Sequence, residues 1–267
     1  ALAASYRHKR WKEKRRGERI VLEEDKARSI REIVLGSPSS GPQERWLPFP
    51  SICEALAELE IRSPRQVVLA PAERVTKEHL RGFSYPLVLK LLSSEIIHKT
   101  EVGGVILGIR DFQDLERALR RLKAATAALP GHVDGYLVQE EIQDGVEAFV
   151  GVAPDPTFGP LLMCGIGGTQ VELLKDIAFS VVPVTDSRAE EMIGSLKAKA
   201  LLEGFRGAPS LDKEALVEII LKTSALVEAV PEVSEIDFNP IKVLPRGEGA
   251  VVVDARVRFA ADDSRRS

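Results

Sequence analysis

Residues 87–105 read LVLKLLSSEIIHKTEVGGV. An apolar, strand-like run carries a single lysine, Lys90, and eight residues later the pair His98-Lys99 leads into Gly103-Gly104. A packed core has no use for a charge or a glycine pair at these positions, so the stretch is read for the anion or proton it could handle. Lys90 admits two readings. At the end of a strand an ammonium can be presented to phosphate as a point charge, or the stem can lie on apolar surface while the head reaches water. His98 stands beside a charge and ahead of flexible glycines, which argues against a core position. A neutral imidazole there can be a nucleophile toward a phosphoryl group or a hydrogen-bond donor to phosphate.

Working outward, short strands are expected at 66–70, 85–92, 105–109 and 135–142 from their apolar, β-rich runs. Asp111 is placed to cap a helix carrying Leu115, Leu119 and Leu122 on one face. Ahead of these, Ile52, Leu56 and Leu59 recur at helical spacing and predict a helix ending near Glu60. In the second half VEAFVGVA (146–153), PLLMCGI (160–166) and IAFSVVPV (177–184) read as strands, and 187–203 and 211–230 as helices. SEIDFNPIKVL (234–244) and GAVVVDARV (249–257) read as two strands joined by a turn. Strands and helices mix without a strict βαβ rhythm, so the expectation is α+β in two lobes rather than a doubly wound sheet. The sequence contains neither GxGxxG nor GxxxxGK[ST], which leaves no Rossmann fingerprint and no P-loop.

Two further constellations carry oxygen donors or glycines. Alternate residues of a strand share a face, so Asp237 and Asn239 of EIDFNP point the same way, and Asp254 ends the apolar run VVVD. Two carboxylates and an amide oxygen suit Mg²⁺, which takes few protein oxygens and fills its shell with phosphate and water. An Asn-Pro turn and a strand-end charge account for the same residues without a metal. CGIGGTQVELLKD (164–176) supplies three glycines, Gly165, Gly167 and Gly168, whose amides could approach an anion, with Glu172 and Lys175 behind them.

Composition narrows the class. The 267 residues suffice for a substantial core, and 44% hydrophobic with 29% charged residues is ordinary for a soluble protein. No apolar run approaches the roughly 18 residues of a membrane span, and 1–16 is basic without an apolar centre, so no signal peptide is read. Cytoplasmic residence and no membrane partner follow as expectations. Cys53 and Cys164 lack CxxC spacing and read as buried thiols. Residues 1–31 hold 11 Lys/Arg against 5 Asp/Glu, which leaves −9 on the remainder of a chain of net charge −3. The basic stretch has no reader motif or stacking platform, so nucleic acid is not an expected partner. Residues 1–35 read as two helical pieces broken near Gly17, and the Gly, Pro and Ser of GSPSSGPQ (36–43) read as a linker.

Taken together, YPLVLKLLSSEIIHKTEVGGV (85–105), GVEAFVGVAPDPTFGPLLMCGIGGTQVELLKDIAFSVVPV (145–184), LLEGFRG (201–207), EIDFNPI (235–241) and VVVDARV (251–257) resemble the ATP-grasp domain of NDP-forming acyl-CoA synthetases. The resemblance is to the beta subunit, or the C-terminal part of fused chains, of ADP-forming acetyl-CoA synthetase, a relative of succinyl-CoA synthetase. It runs from about Arg45 to Phe259, with five motifs in order. It implies an ATP-grasp fold over 44–267, with an N-lobe at about 65–138, a C-lobe at about 139–260, and ATP or ADP with Mg²⁺ between them. Residues 1–43 would be the helical tail of a preceding domain plus a linker.

Carried over by resemblance, Lys90 contacts phosphates, Asn239 and Asp254 hold the metal, and Asp237 stands by as a further ligand. The 138–142 stretch, with Gln139 and Glu140, forms the hinge against adenine. Glu147 falls near the ribose, and Gly167 and Gly168 near the nucleotide. His98 is the phosphoryl acceptor, with Lys99 a charge clamp beside it. The implied partners are the CoA-binding and ligase domains of the same enzyme, in cis or as an alpha subunit, in an oligomeric whole. Two positions depart from the family: Gln139 where Glu is usual, and Ser180 where Arg is usual. These departures also fit an alternative, a non-catalytic acyl-CoA- or nucleotide-sensing domain of a protein-lysine acetyltransferase.

Overall fold

The computed structural model describes residues 17–36, 45–93, 103–127, 131–167, 176–204 and 209–259. Two antiparallel sheets organise them. The smaller has the order β2-β5-β3-β4, from β2 (Gln66–Leu69), β3 (Leu87–Leu92), β4 (Val105–Ile109) and β5 (Gly135–Glu140). The larger has the order β1-β11-β9-β6-β7-β8, with β10 also paired to β9. Its strands are β1 (Arg45–Trp46), β6 (Val146–Asp155), β7 (Gly159–Ile166), β8 (Ile177–Val181), β9 (Val233–Val243), β10 (Ala250–Val252) and β11 (Ala255–Phe259).

The smaller lobe is built by one helix on one sheet face. Asp111 caps helix Phe112–Thr126, accepting the Asp114 amide at 2.7 Å. Leu115, Leu119 and Leu122 then fall on one face and are buried against Leu87, Leu89 and Leu91 of β3 and Tyr136 and Val138 of β5. All six residues of β3 are buried. The alternate set, Val88, Lys90 and Leu92, looks the other way and is covered as well, which explains why LVLKLL reads as a continuous run rather than an alternation. Its lone lysine is therefore a buried charge.

The larger lobe packs helices against its sheet. Helix Lys213–Ala229 starts at Asp212, whose carboxylate accepts Ala215 N at 3.2 Å and also the Gly247 and Gly249 amides of the β9–β10 turn at 2.9 and 3.0 Å. Leu216, Ile219, Ile220 and Leu226 of this helix join Val150, Val152, Leu162, Ile236 and Phe238 in one core. Helix Glu24–Gly36 places Ile30 and Val34 in the same core, so this stretch packs with the strands that follow it. Residues 17–23 are not helical, and the helix begins only at Glu24.

One expected element takes a different form. GAVVVDARV is two short strands, β10 and β11, and both pair with the eleven-residue β9. Val252 pairs with Ile241 and Ala255 with Phe238. Between them Pro240 offers no N–H to a ladder. The chain turns there, with Val253 N donating to Pro240 O at 2.9 Å and Asn239 N to Asp254 O at 3.1 Å. The break is what sets Asp254 beside Asn239.

Candidate active site between the two sheets

The inner face of the small sheet is fixed by register. Gln139 is opposite both Gln66 and Val88, and Lys90 is opposite Leu137. Directly opposed residues of an antiparallel pair share a face, so Gln66, Val88, Lys90 and Gln139 look away from the helix. Lys90 is 8% exposed and Gln139 1%. Both reach across to the larger lobe and meet at one atom. The Lys90 ammonium donates to the Val253 carbonyl at 3.0 Å, and Gln139 Nε2 donates to it at 3.2 Å. Burial pushes the Lys90 pKa down, and the Asp254 carboxylate next to that carbonyl opposes the shift.

The facing surface of the large sheet presents Asp237, opposite Gly151 on one side and Arg256 on the other. Burial pushes the Asp237 carboxyl above the usual range, Arg256 opposes the rise, and Asp254 and Glu235 add to it. A carboxylate held up in this way gains from a further positive charge. The donor set of Asp237, Asn239 and Asp254 therefore fits a hard divalent cation. Among the described residues no three His, Cys, Asp or Glu side chains cluster as a metal site, so the candidate set consists of two carboxylates and the Asn239 amide.

A further row follows the same face across the sheet, from Asp237 to Gly151, Met163 and Phe179. Ser180 is on the opposite face, in register with Leu162 and Val152. Its hydroxyl receives Arg188 Nε at 3.1 Å, and Arg188 also donates to Phe179 O at 2.8 Å. Ser180 thus touches the helix side of the sheet and not the face of Asp237.

A sequence profile described as an ATP-grasp domain matches residues 41–259. The chain belongs to the ATP-grasp domain family. It is 35% identical over 235 residues to the beta subunit of acetate–CoA ligase [ADP-forming] I of Pyrococcus furiosus, covering 87% of this chain and 99% of that subunit. It is 41% identical over 178 residues to acetate–CoA ligase [ADP-forming] I of Archaeoglobus fulgidus, covering 66% of this chain and 26% of that protein. The ATP-grasp domain thus spans nearly all of a beta subunit but about a quarter of the longer relative. Among solved structures it resembles the acetyl-coenzyme A synthetase 1 of Ca. Korarchaeum cryptofilum in complex with coenzyme A and Mg-AMPPCP, at a TM-score of 0.67 and 33% identity, covering 80% of this chain and 93% of that one.

Within this ATP-grasp domain the structure brings together Lys90, Gln139, Asp237, Asn239 and Asp254. Glu147, near the start of β6, is opposite Lys242 of β9 and pairs with it at 3.3 Å. Glu140 accepts the Ser84 amide at 2.6 Å, and Glu141 accepts the Gly108 amide at 2.8 Å, so both carboxylates fasten loops of the smaller lobe. The Gly167 amide is engaged by Glu147 O at 2.6 Å. Gly165 lies within β7, where a Cβ would collide with the Phe149 ring. His98, Lys99 and Gly168 lie outside the described residues. Sequence reading missed the Val253 carbonyl, Gln66 and Arg256. Only register and tertiary contact reveal them.

Asp237→Asn separates packing from ligation. It removes a buried charge that disfavours the ligand-free fold, so the melting temperature without metal should rise. The extra stabilisation by Mg²⁺ with nucleotide should shrink. A lower melting temperature with an unchanged metal increment would show that Asp237 serves only the sheet.

Proposed function

We propose that this ATP-grasp domain is the nucleotide-binding part of an ADP-forming acyl-CoA synthetase, interconverting acyl-CoA, ADP and phosphate with carboxylate, ATP and CoA. The observation that carries the reading is the meeting of Lys90 from the smaller lobe with the Asp237, Asn239 and Asp254 corner of the larger one. Its relatives' names supply the acid–thiol ligase chemistry. The CoA-binding and ligase domains are its partners, in cis or as a second subunit. No described helix is long and apolar enough to cross a membrane.

In this reading Lys90 exchanges the Val253 carbonyl for phosphate oxygens. An uncharged carbonyl competes weakly for an ammonium against an anion. Asp237, Asn239 and Asp254 hold Mg²⁺, which when bound neutralises phosphate charge. The two sheets exclude water from the transfer. His98 takes the phosphoryl group from a phosphohistidine on the partner domain, its P–N bond forming as the donor's breaks. That bond then breaks as a P–O bond forms to the terminal phosphate of ADP, with the other ring nitrogen protonated so that neutral imidazole leaves. Transfer of this kind depends on positioning and charge far more than on covalent chemistry by the protein.

Thermal unfolding tests the nucleotide site directly. A ligand that binds only the folded state stabilises it by about 2.7 kcal/mol at a hundredfold excess over Kd, which for a domain of this size is roughly 5–10 °C. ADP or ATP with Mg²⁺ should produce that shift, and Asn239→Ala with Asp254→Ala should abolish its metal dependence. No shift at millimolar Mg-nucleotide rejects the nucleotide site.

A further inference from the structure

The Gln139 amide is oriented by a second glutamine. Its Nε2 donates to two acceptors, Gln66 Oε1 at 2.7 Å and Val253 O at 3.2 Å. Rotating the amide would put oxygen against both, so the orientation is decided by these partners. Gln66 is in turn oriented at its other end, where Nε2 donates to Cys53 Sγ at 3.0 Å. Burial pushes the Cys53 thiol up to about 11, so it is neutral at physiological pH and receives this bond as a weak acceptor. Among the described residues Gln139 Oε1 is left buried with no hydrogen-bond partner. Such an atom costs stability unless a ligand or water donates to it.

The chain of bonds crosses between lobes at both ends. Cys53 belongs to helix Phe49–Glu58, whose Ile52, Ala55 and Leu56 are in the larger core, whereas Gln66 opens β2 of the smaller sheet. Val253 belongs to the corner that carries Asp254. Among the described residues the Gln66 side chain hydrogen-bonds to Gln139 and Cys53 and not to that corner.

We propose that Gln66 is a positioning residue for the nucleotide and metal site, acting through Gln139. It holds the Gln139 nitrogen on the Val253 carbonyl and so keeps the Asp254 corner in register with Lys90, leaving the Gln139 oxygen as an acceptor for bound nucleotide. The proposal rests on the nucleotide-binding reading above. Without Gln66 Oε1, the Gln139 amide loses one of the two acceptors that fix its rotation, and both the metal corner and the free acceptor lose their definition.

The test is a double-substitution cycle on the whole chain, reading the Kd of ATP with and without Mg²⁺. Gln66→Met keeps length and removes the acceptor. It should weaken binding in Mg²⁺ about three- to tenfold, the scale of one lost hydrogen bond, with a smaller change when Mg²⁺ is absent. Gln139→Met should do at least as much. In the Gln139→Met background, Gln66→Met should add nothing, because its effect runs through that amide. Cys53→Ala should act in the same direction as Gln66→Met but more weakly, and it serves as the second probe if Gln66→Met does not fold. Additive effects of the two glutamine substitutions, or a Gln66→Met chain (or Cys53→Ala in its place) that melts lower yet binds Mg-ATP normally, overturn the proposal. Failure of the unsubstituted chain to bind Mg-ATP rejects the nucleotide reading instead.

Discussion

Given acetyl-CoA, ADP, phosphate and Mg²⁺, residues 1–267 alone are expected to form no ATP above background. Adding the CoA-binding and ligase domains should restore turnover by roughly a thousandfold or more, the scale on which a transition-state group supplied in trans acts. The chain carries no glycine-rich fingerprint for the CoA pyrophosphate. A relay that moves phosphate between two histidines also needs a second imidazole near the cleft, and the described ones are committed to loops. His79 accepts the Thr76 amide at 3.2 Å and lies 3.3 Å from Glu73, and His132 lies 3.7 Å from Asp134. Because positioning supplies most of the acceleration, an incomplete site is close to silent rather than slow. Sustained ATP formation by the isolated chain, free of contaminating kinase, would falsify this division of labour.

The second large effect concerns His98. In the complete enzyme His98→Asn should abolish both turnover and an acid-labile, base-stable phosphoryl label on this chain. Asparagine keeps a polar side chain of similar reach but has no nucleophilic ring nitrogen. The described ends of its segment support the assignment. Lys90 pairs with Val105, and Leu91 N donates to Gly104 O at 2.7 Å, so the connection leaves and rejoins the sheet next to Lys90. Persistent label in the variant moves the acceptor elsewhere, and undiminished turnover makes His98 a bystander. Binding of Mg-ATP should be largely retained, which separates loss of transfer from loss of the site.

Much of the architecture was readable because it is written locally. The Asp111 cap and the leucines at 115, 119 and 122 lie within a dozen residues, and their helix forms where they place it. The succession of strands along the chain and the expectation of α+β in two lobes likewise followed from short runs and their punctuation. The site was readable by residue type but not by contact. Lys90 could be singled out as the lone charge in an apolar run, yet its partner, the Val253 carbonyl, is 163 positions away and is a backbone atom that no side-chain pattern marks. The split of VVVDARV was hidden for the same reason, since Pro240 on the neighbouring strand decides it. Gln66 looks like any polar residue at the start of a strand until its pairing with Gln139 is seen.

The two crossings between lobes have a consequence for how the protein can be altered. Every strand of the smaller sheet comes from residues 66–140, and the larger sheet draws on 45–46 and 146–259. The chain enters and leaves the smaller lobe side by side, with Glu140 N donating to Arg65 O at 2.9 Å. In topological terms the smaller lobe is a cassette spliced into one continuous host, with both splice points at a single hydrogen bond. A cassette from a relative can be exchanged there without rethreading the host. Its compatibility is then decided by whether it returns a lysine and an amide to the carbonyl before Asp254.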